Sequence, residues 1–228
     1  MKLHGKMYNE ANKLVEPGKL YDLNDGLALI KNLKGPKFDE TVELAVNLGI
    51  DTKQTDQNIR GTVVLPFGLG KQVKVLVFTK NEKEALDAGA DYAGADGLVN
   101  KVLGGWLDFD TVIATPDLMG LVSKLGKILG PKKLMPNPKL GTVTFEVARA
   151  VKEAKAGKVE LKNDKGGVVH LAIGKKSFTG DKLAENFHAI MDRLKSIKPA
   201  TSKGQFLKSA YLSTTMGPSV KVSIQDYK

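Results

Sequence analysis

Val73-Lys74-Val75-Leu76-Val77-Phe78 is the stretch that decides the fold. Apart from Lys74 it is apolar throughout, so a strand here needs cover on both faces, as in a parallel sheet between helices. Phe109-Asp110-Thr111-Val112-Ile113-Ala114-Thr115 has the same character. Between the two runs, Glu82 to Ala88 and Gly97 to Gly104 read as short helices, with Ala90-Asp91-Tyr92-Ala93 joining them. Pro116-Asp117 opens a helix expected to run through Leu129. After a loop over 130–142, a last helix spans Glu146 to Ala156 and closes at Gly157. Alternation of strand and helix predicts a three-layer, Rossmann-like α/β domain over residues 67–157.

Outward from this region the texture changes on both sides. Residues 2–34 read as two helices, the first stopped by Glu16-Pro17-Gly18. The second is capped by Asn24, carries Leu27, Ile30 and Leu33 on one side, and is broken by Gly35-Pro36. From Phe38 to Ile50 the chain alternates with period two. Val42, Leu44, Val46 and Leu48 fall on one face, and Thr41, Glu43 and Asn47 on the other, as in a half-buried strand. Ile59 to Leu65 is a second strand, stopped by Pro66; pairing with the first would make a long hairpin.

Beyond Lys158, Val159–Lys162 and Val168–Ile173 flank Asn163-Asp164-Lys165-Gly166-Gly167, a hairpin signal. Thr179-Gly180-Asp181 starts a helix with the apolar stripe Leu183, Phe187, Ile190, Met191 and Leu194. Lys198-Pro199 ends it, and Ser202-Lys203-Gly204 leads into the final strands, Phe206–Leu212 and Val220–Ile224. The economical organisation is a discontinuous α+β domain, residues 1–66 plus 158–228, with the α/β domain inserted. Linkers near Leu65–Gly68 and Ala156–Lys158 predict a hinge.

The 228 residues carry a formal charge of +10, which favours an acidic partner: RNA, DNA or an anionic membrane surface. The excess is uneven. Residues 1–66 hold nine Lys/Arg against nine Asp/Glu, 67–157 hold 13 against 10, and 158–228 hold 13 against 6. The last third therefore carries most of it, which points to a polyanion. No apolar run approaches the roughly 18 residues of a membrane span. The amino-terminal residues lack the apolar core of a signal peptide. With no cysteine, disulfides and thiolate metal sites are excluded, and a cytoplasmic protein fits best.

Catalytic and cofactor motifs fail on spacing. Gly68-Leu69-Gly70-Lys71 is no phosphate-binding loop, since Gln72 follows the lysine, and Val73 breaks the dinucleotide pattern. His4, His170 and His188 lie far apart, without the spacing of a zinc site. No metal and no cofactor is expected, and nothing points to an enzyme.

Two stretches suit RNA instead. Ser213-Thr214-Thr215-Met216-Gly217-Pro218 joins two alternating runs and offers three successive hydroxyls, a flexible apolar side chain and a glycine. Those groups suit phosphate oxygens and 2′-hydroxyls, although an ordinary solvated turn would use the same residues. Lys37-Phe38 stands at the entrance of the first strand, where Phe38 either stacks on RNA or, as most aromatics do, joins the core. Gly126 to Lys139 forms a stiff loop with Lys127, Lys132, Lys133 and Lys139, a second surface with the donors a phosphate needs. Two rival readings stay open on these grounds: an α/β enzyme or nucleotide-binding protein using the inserted domain, and a general polyanion or membrane-surface protein.

Ile128-Leu129-Gly130-Pro131 followed by Leu134-Met135-Pro136-Asn137-Pro138 closely resembles the signature of the side-stalk proteins, the first-numbered proteins of the large ribosomal subunit. Further matches run along the chain: Lys37-Phe38-Asp39-Glu40-Thr41, Leu48-Gly49-Ile50-Asp51, Thr55-Asp56-Gln57 with Arg60-Gly61, Asn163-Asp164-Lys165 with Gly167 and His170, and Ser213-Thr214-Thr215-Met216-Gly217. The resemblance implies a discontinuous α+β domain with a hinged α/β insertion. It implies binding to large-subunit rRNA as a mobile stalk, help in releasing deacylated tRNA from the exit site, and repression of the protein's own mRNA through a leader or operator that mimics the ribosomal site. The free protein is expected to be a monomer with no membrane partner. The implied RNA surface comprises Lys37, Phe38, Thr41, Glu43, Lys165, His170, Ser213, Thr214, Thr215, Met216 and Gly217. Glu43 suits a base amine or a 2′-hydroxyl rather than phosphate. Three positions depart from or vary on the pattern: Lys132-Lys133 where Arg-Gly is usual, which puts the turn in question; Phe67 where histidine is frequent; and Pro218 after Met216-Gly217, a variation seen within the family.

Overall fold

The structure, a computed structural model, describes residues 5–202 and 204–227. The expected helical start at residues 2–4, with His4, and Lys203 of the last linker lie outside the described residues. In chain order the elements are α1 (Lys6–Asn12), α2 (Leu23–Asn32), β1 (Thr41–Leu48), β2 (Arg60–Val64), β3 (Val75–Phe78), α3 (Glu82–Asp87), β4 (Tyr92–Gly94), α4 (Asp96–Leu103) and β5 (Thr111–Ala114). Then follow α5 (Met119–Val122), α6 (Gly126–Leu129), α7 (Val147–Lys155), β6 (Lys158–Lys162), β7 (Val168–Lys175), α8 (Gly180–Ser196), β8 (Leu207–Thr214) and β9 (Val220–Val222). The chain forms two compact units, one from Met1–Gly70 with Val159–Lys228 and the other from Lys71–Lys158.

The first unit is built on a four-stranded antiparallel sheet in the order β7-β1-β8-β9. Alternation in β1 turns Val42, Leu44, Val46 and Leu48 into the core. The stripe on α8 (Leu183, Phe187, Ile190, Met191, Leu194) is fully buried there, with Leu27 and Ile30 of α2 beside it. Helix α2 packs on β8, β9 and α8, and α8 packs on β7 and β2. One face of the sheet is thus covered by helices, as a pattern of alternating burial requires.

Strand pairing departs from sequence proximity at two places. β2 pairs with β6 in a separate two-stranded sheet, not with β1. The reason is that β1 already bonds to β7 on one edge and β8 on the other, leaving no free edge. The turn at 163–167 does reverse the chain, with the Asp164 amide donating to Val168 O at 2.8 Å and an antiparallel bridge between Asn163 and Val169, but β6 and β7 then run into different sheets. Asn163 secures this arrangement: its Oδ1 accepts the Ile59 amide at 2.7 Å, and its Nδ2 donates to Asn58 Oδ1 at 3.1 Å. Nor does Asn24 cap the second helix. Asp22 holds the extended cap position, and Asn24 lies inside the first turn.

The second unit has a parallel sheet in the order β4-β3-β5. All four residues of β3 are buried, because an apolar core lies on each face. Val75, Val77 and Ile113 pack with Ala85 of α3 and Val147, Ala150, Val151 and Ala154 of α7. Leu76, Phe78 and Val112 pack on the other side with Val99 and Val102 of α4 and with Val122 and Leu129. β4 had no signal of its own, being three residues long. The helix expected from Pro116 through Leu129 is instead broken into α5, α6 and two 3₁₀ turns. Gly120 and Gly126 lie within that run and weaken it as a continuous helix.

Candidate nucleic-acid interface

Hydrogen bonds across the sheet draw three separate segments together at one end of the first unit. The Thr215 amide donates to Thr41 O at 3.1 Å, and the Thr41 amide donates back to Thr215 Oγ1 at 3.1 Å. Next to this pair, the Met216 amide donates to Glu40 Oε1 at 3.0 Å. Glu40 is only 2% exposed. Its other oxygen accepts from Lys176 Nζ at 3.3 Å, and Lys176 also donates to Leu33 O at 2.5 Å. Asp39 accepts from the Ser177 amide and hydroxyl, at 3.1 and 2.7 Å. Lys175 Nζ donates to Thr41 Oγ1 at 2.9 Å. The residues before β1, the end of β7 and the turn after β8 are therefore one hydrogen-bonded body.

Two large apolar side chains are left in solvent on that body. Phe38 is 54% exposed and Met216 is 61% exposed. Phe38 is consequently not a core residue. Exposed apolar side chains on a rigid, polar frame suit stacking and packing against bases and sugars. Lys37 is exposed beside Phe38, and Ser213 is half-buried. Thr214 departs from the reading of three free hydroxyls: it pairs with Val42, points inward and is buried. Its Oγ1 lies so close to Gly217 that a Cβ there would meet it at 2.4 Å. Glycine at 217 is thus a packing requirement of the turn.

The uncovered face of the sheet extends the surface. Glu43 stands opposite Ser213, while Ala45 stands between His170 on β7 and Tyr211 on β8, with Lys221 of β9 opposite Tyr211. Glu43 and His170 are exposed, and Ala45, Tyr211, Ser213 and Lys221 are half-buried. Tyr211, Lys221, Lys175 and the positioning carboxylate Glu40 were not among the expected residues. The outward phase of the alternating run Phe206–Leu212 carried the signal for Tyr211. Nothing local distinguishes Glu40 from a surface acid.

Lys165 is not part of the cluster. It lies at the tip between β6 and β7, where its carbonyl accepts from Thr52 Oγ1 at 2.8 Å and Gly167 O accepts the Leu48 amide at 3.0 Å. That is the far end of β1, about 20 Å from Thr41 at the usual rise per strand residue. The tip is shaped by Asp164, whose Oδ1 accepts the amides of Gly166 and Val168, both at 2.8 Å. The Val168 amide is the main cause that holds the Asp164 carboxyl below its ordinary pKa, followed among the lowering contacts by Gly166 and the nearby His170.

The basic loop belongs to the second unit. Lys127, Lys132, Lys133 and Lys139 are all exposed. Lys133 has φ of +60°, the one positive value at a non-glycine among the described residues. The turn expected to suffer from losing glycine is thus kept, with lysine forced into the left-handed region. In the first unit, Gly68 and Gly70 also have positive φ, and a Cβ on Gly70 would meet the Phe178 ring at 2.8 Å. Backbone shape accounts for these glycines without a nucleotide. Among the described residues, no group of three or more His, Cys, Asp and Glu is placed to hold a metal ion. No helix among them is long and apolar enough to cross a membrane.

Residues 29–218 match the model of the ribosomal protein L1p/L10e family. The match includes every segment of the cluster described above and the basic loop.

Proposed function

The chain belongs to the ribosomal protein L1p/L10e family, and from that premise we propose how its surfaces are used. Membership makes it a structural, non-enzymatic ribosomal protein that binds rRNA. The RNA surface we infer is the hydrogen-bonded body at the start of β1: Lys37, Phe38, Thr41 and Glu43 with Ser213, Thr215, Met216 and Gly217. Thr214 contributes through its backbone. His170 extends this surface along the uncovered sheet face, and Lys165 makes a separate contact at the far end. The observation that carries the reading is a rigid frame that leaves Phe38 and Met216 in solvent. Such a frame recognises RNA shape with little ordering cost.

In this account the target is a stem-loop region of large-subunit rRNA, and the bound protein forms part of a mobile stalk. The inserted domain, expected over residues 67–157 and corresponding to the compact unit Lys71–Lys158, swings about linkers at its two boundaries. This movement assists release of deacylated tRNA from the exit site. The same contact surface represses the protein's own mRNA by binding a leader that mimics the ribosomal site. The protein acts in the cytoplasm and is a monomer when free. The test is binding of the purified chain to the stalk rRNA fragment and to a scrambled stem-loop over a salt titration. Preference for the true fragment that survives moderate salt supports shape readout; equal binding that collapses with salt contradicts it.

A further inference from the structure

From Leu118 to Phe145 the chain carries five lysines and no acidic residue. All five (Lys124, Lys127, Lys132, Lys133 and Lys139) are exposed, and none forms an ion pair among the described residues. Elsewhere in the second unit the lysines are interspersed with acids: Lys71 pairs with Asp110, Lys74 with Asp108, Lys155 with Asp91 and Lys158 with Glu153, while Lys80, Lys83, Lys101 and Lys152 are exposed in stretches that also carry Glu82, Glu84, Asp96 and Glu153. The segment from Leu118 to Phe145 is thus the part of the unit where lysines stand without any acidic residue among them.

That segment has a fixed backbone. The Leu134 amide donates to Leu129 O and the Lys133 amide to Gly130 O, both at 3.0 Å. These are the two bonds of a Schellman cap closing α6, with Lys133 at the left-handed position and Leu134 packed against the core that holds Leu129. Glycine is the residue that fits such a position without strain. A lysine there keeps the turn and adds a charge. Asn137 stiffens the remainder: its side chain accepts the Lys139 amide at 2.9 Å, and its own amide donates to Thr142 Oγ1 at 2.7 Å.

We propose that Lys127, Lys132, Lys133 and Lys139 form a second RNA-backbone site, separate from the surface on the first unit, and that Lys133 is its distinctive residue. Point charges on a rigid loop suit the phosphates of a folded RNA helix, without base readout. The proposal rests on the chain being an RNA-binding protein, not on the assignment of the Met216 surface.

The test uses the full chain and three probes: the stalk rRNA fragment, deacylated tRNA, and vesicles containing phosphatidylserine, each titrated from about 50 to 200 mM salt. The variants are Lys127→Gln/Lys132→Gln/Lys133→Gly combined and Lys133→Asn alone, which keeps a residue tolerant of the left-handed region. The combined variant is expected to lower the salt slope for one or both RNAs by about two to three, and Lys133→Asn by about one. The RNA that responds identifies the source of the phosphates. Unchanged slopes for both RNAs overturn the proposal, as does a loss confined to the vesicles. Should the combined variant fail to fold, Lys133→Asn and Lys139→Gln decide alone. Met216→Asp, measured in parallel, separates the two surfaces: loss there beside unchanged lysine variants sinks this site only.

Discussion

The carboxylate of Glu40, buried under the sheet end, accepts the amide of Met216 at 3.0 Å across a sequence separation of 176 residues. A buried carboxylate is costly unless paired, and Lys176 is its partner at 3.3 Å. The pair therefore fixes the turn that presents Met216. Glu40→Ala frees the turn and leaves Lys176 without a counter-charge, costing about 3 kcal/mol of stability. It should also weaken rRNA binding below the melting transition, whereas Glu40→Gln retains an acceptor for Met216 and much of the affinity. Denaturant unfolding together with rRNA titration measures both. Wild-type affinity in folded Glu40→Ala would remove it as a positioning residue.

Gly217 lies against Thr214, with room for no further atom. Gly217→Ala brings a Cβ to 2.4 Å from Thr214 Oγ1, an overlap that costs about 1–3 kcal/mol. Combining it with Thr214→Ala removes the offending oxygen and should recover most of the melting temperature. A double variant no more stable than Gly217→Ala would show that the clash is not the cause.

The tip between β6 and β7 should respond to acid in one direction only. Asp164 has a lowered pKa, chiefly because it accepts the Val168 amide. Its contribution is therefore full above the unfolded-chain value near 3.8, and it is lost as pH falls through the lower folded value. Titrating the Asp164 carboxyl carbon by NMR should give a midpoint below 3.8. A midpoint at or above it contradicts the hydrogen-bond pattern.

Lys133 holds a left-handed backbone, φ of +60°, at a position where a side chain costs about 1 kcal/mol or more. Lys133→Gly should raise stability by about 1 kcal/mol, net of the greater freedom glycine gives the unfolded chain. Thermal unfolding at low ionic strength checks this. A destabilised variant would mean that the lysine side chain itself supports the loop.

Much of the fold was legible where pattern follows directly from burial. The alternation of Val42, Leu44, Val46 and Leu48 and the continuous run Val75–Phe78 announced two kinds of strand, because one-sided and two-sided burial write different periods. Which strands pair was not legible. β1 takes β7 and β8 as partners through contacts distant in sequence, so its neighbour in the chain, β2, is not its partner in the sheet. At the candidate site, the sequence marks Phe38 and Met216, and both are exposed. The hydroxyl run also marks Thr214, which is buried, since alternation turns every second hydroxyl inward. Glu40 was invisible as a site residue because its burial depends on Lys176, far along the chain.

The most direct measurement is the affinity of Met216→Asp for the stalk rRNA fragment at moderate salt, set against the wild-type chain and a scrambled stem-loop. Met216 is 61% exposed and is held in the turn through its backbone amide, so the fold should survive. The account predicts a loss on the true fragment well beyond the effect of one charge, with binding to the scrambled RNA changed only slightly. Equal, small losses on both RNAs would contradict the claim that this turn reads the RNA.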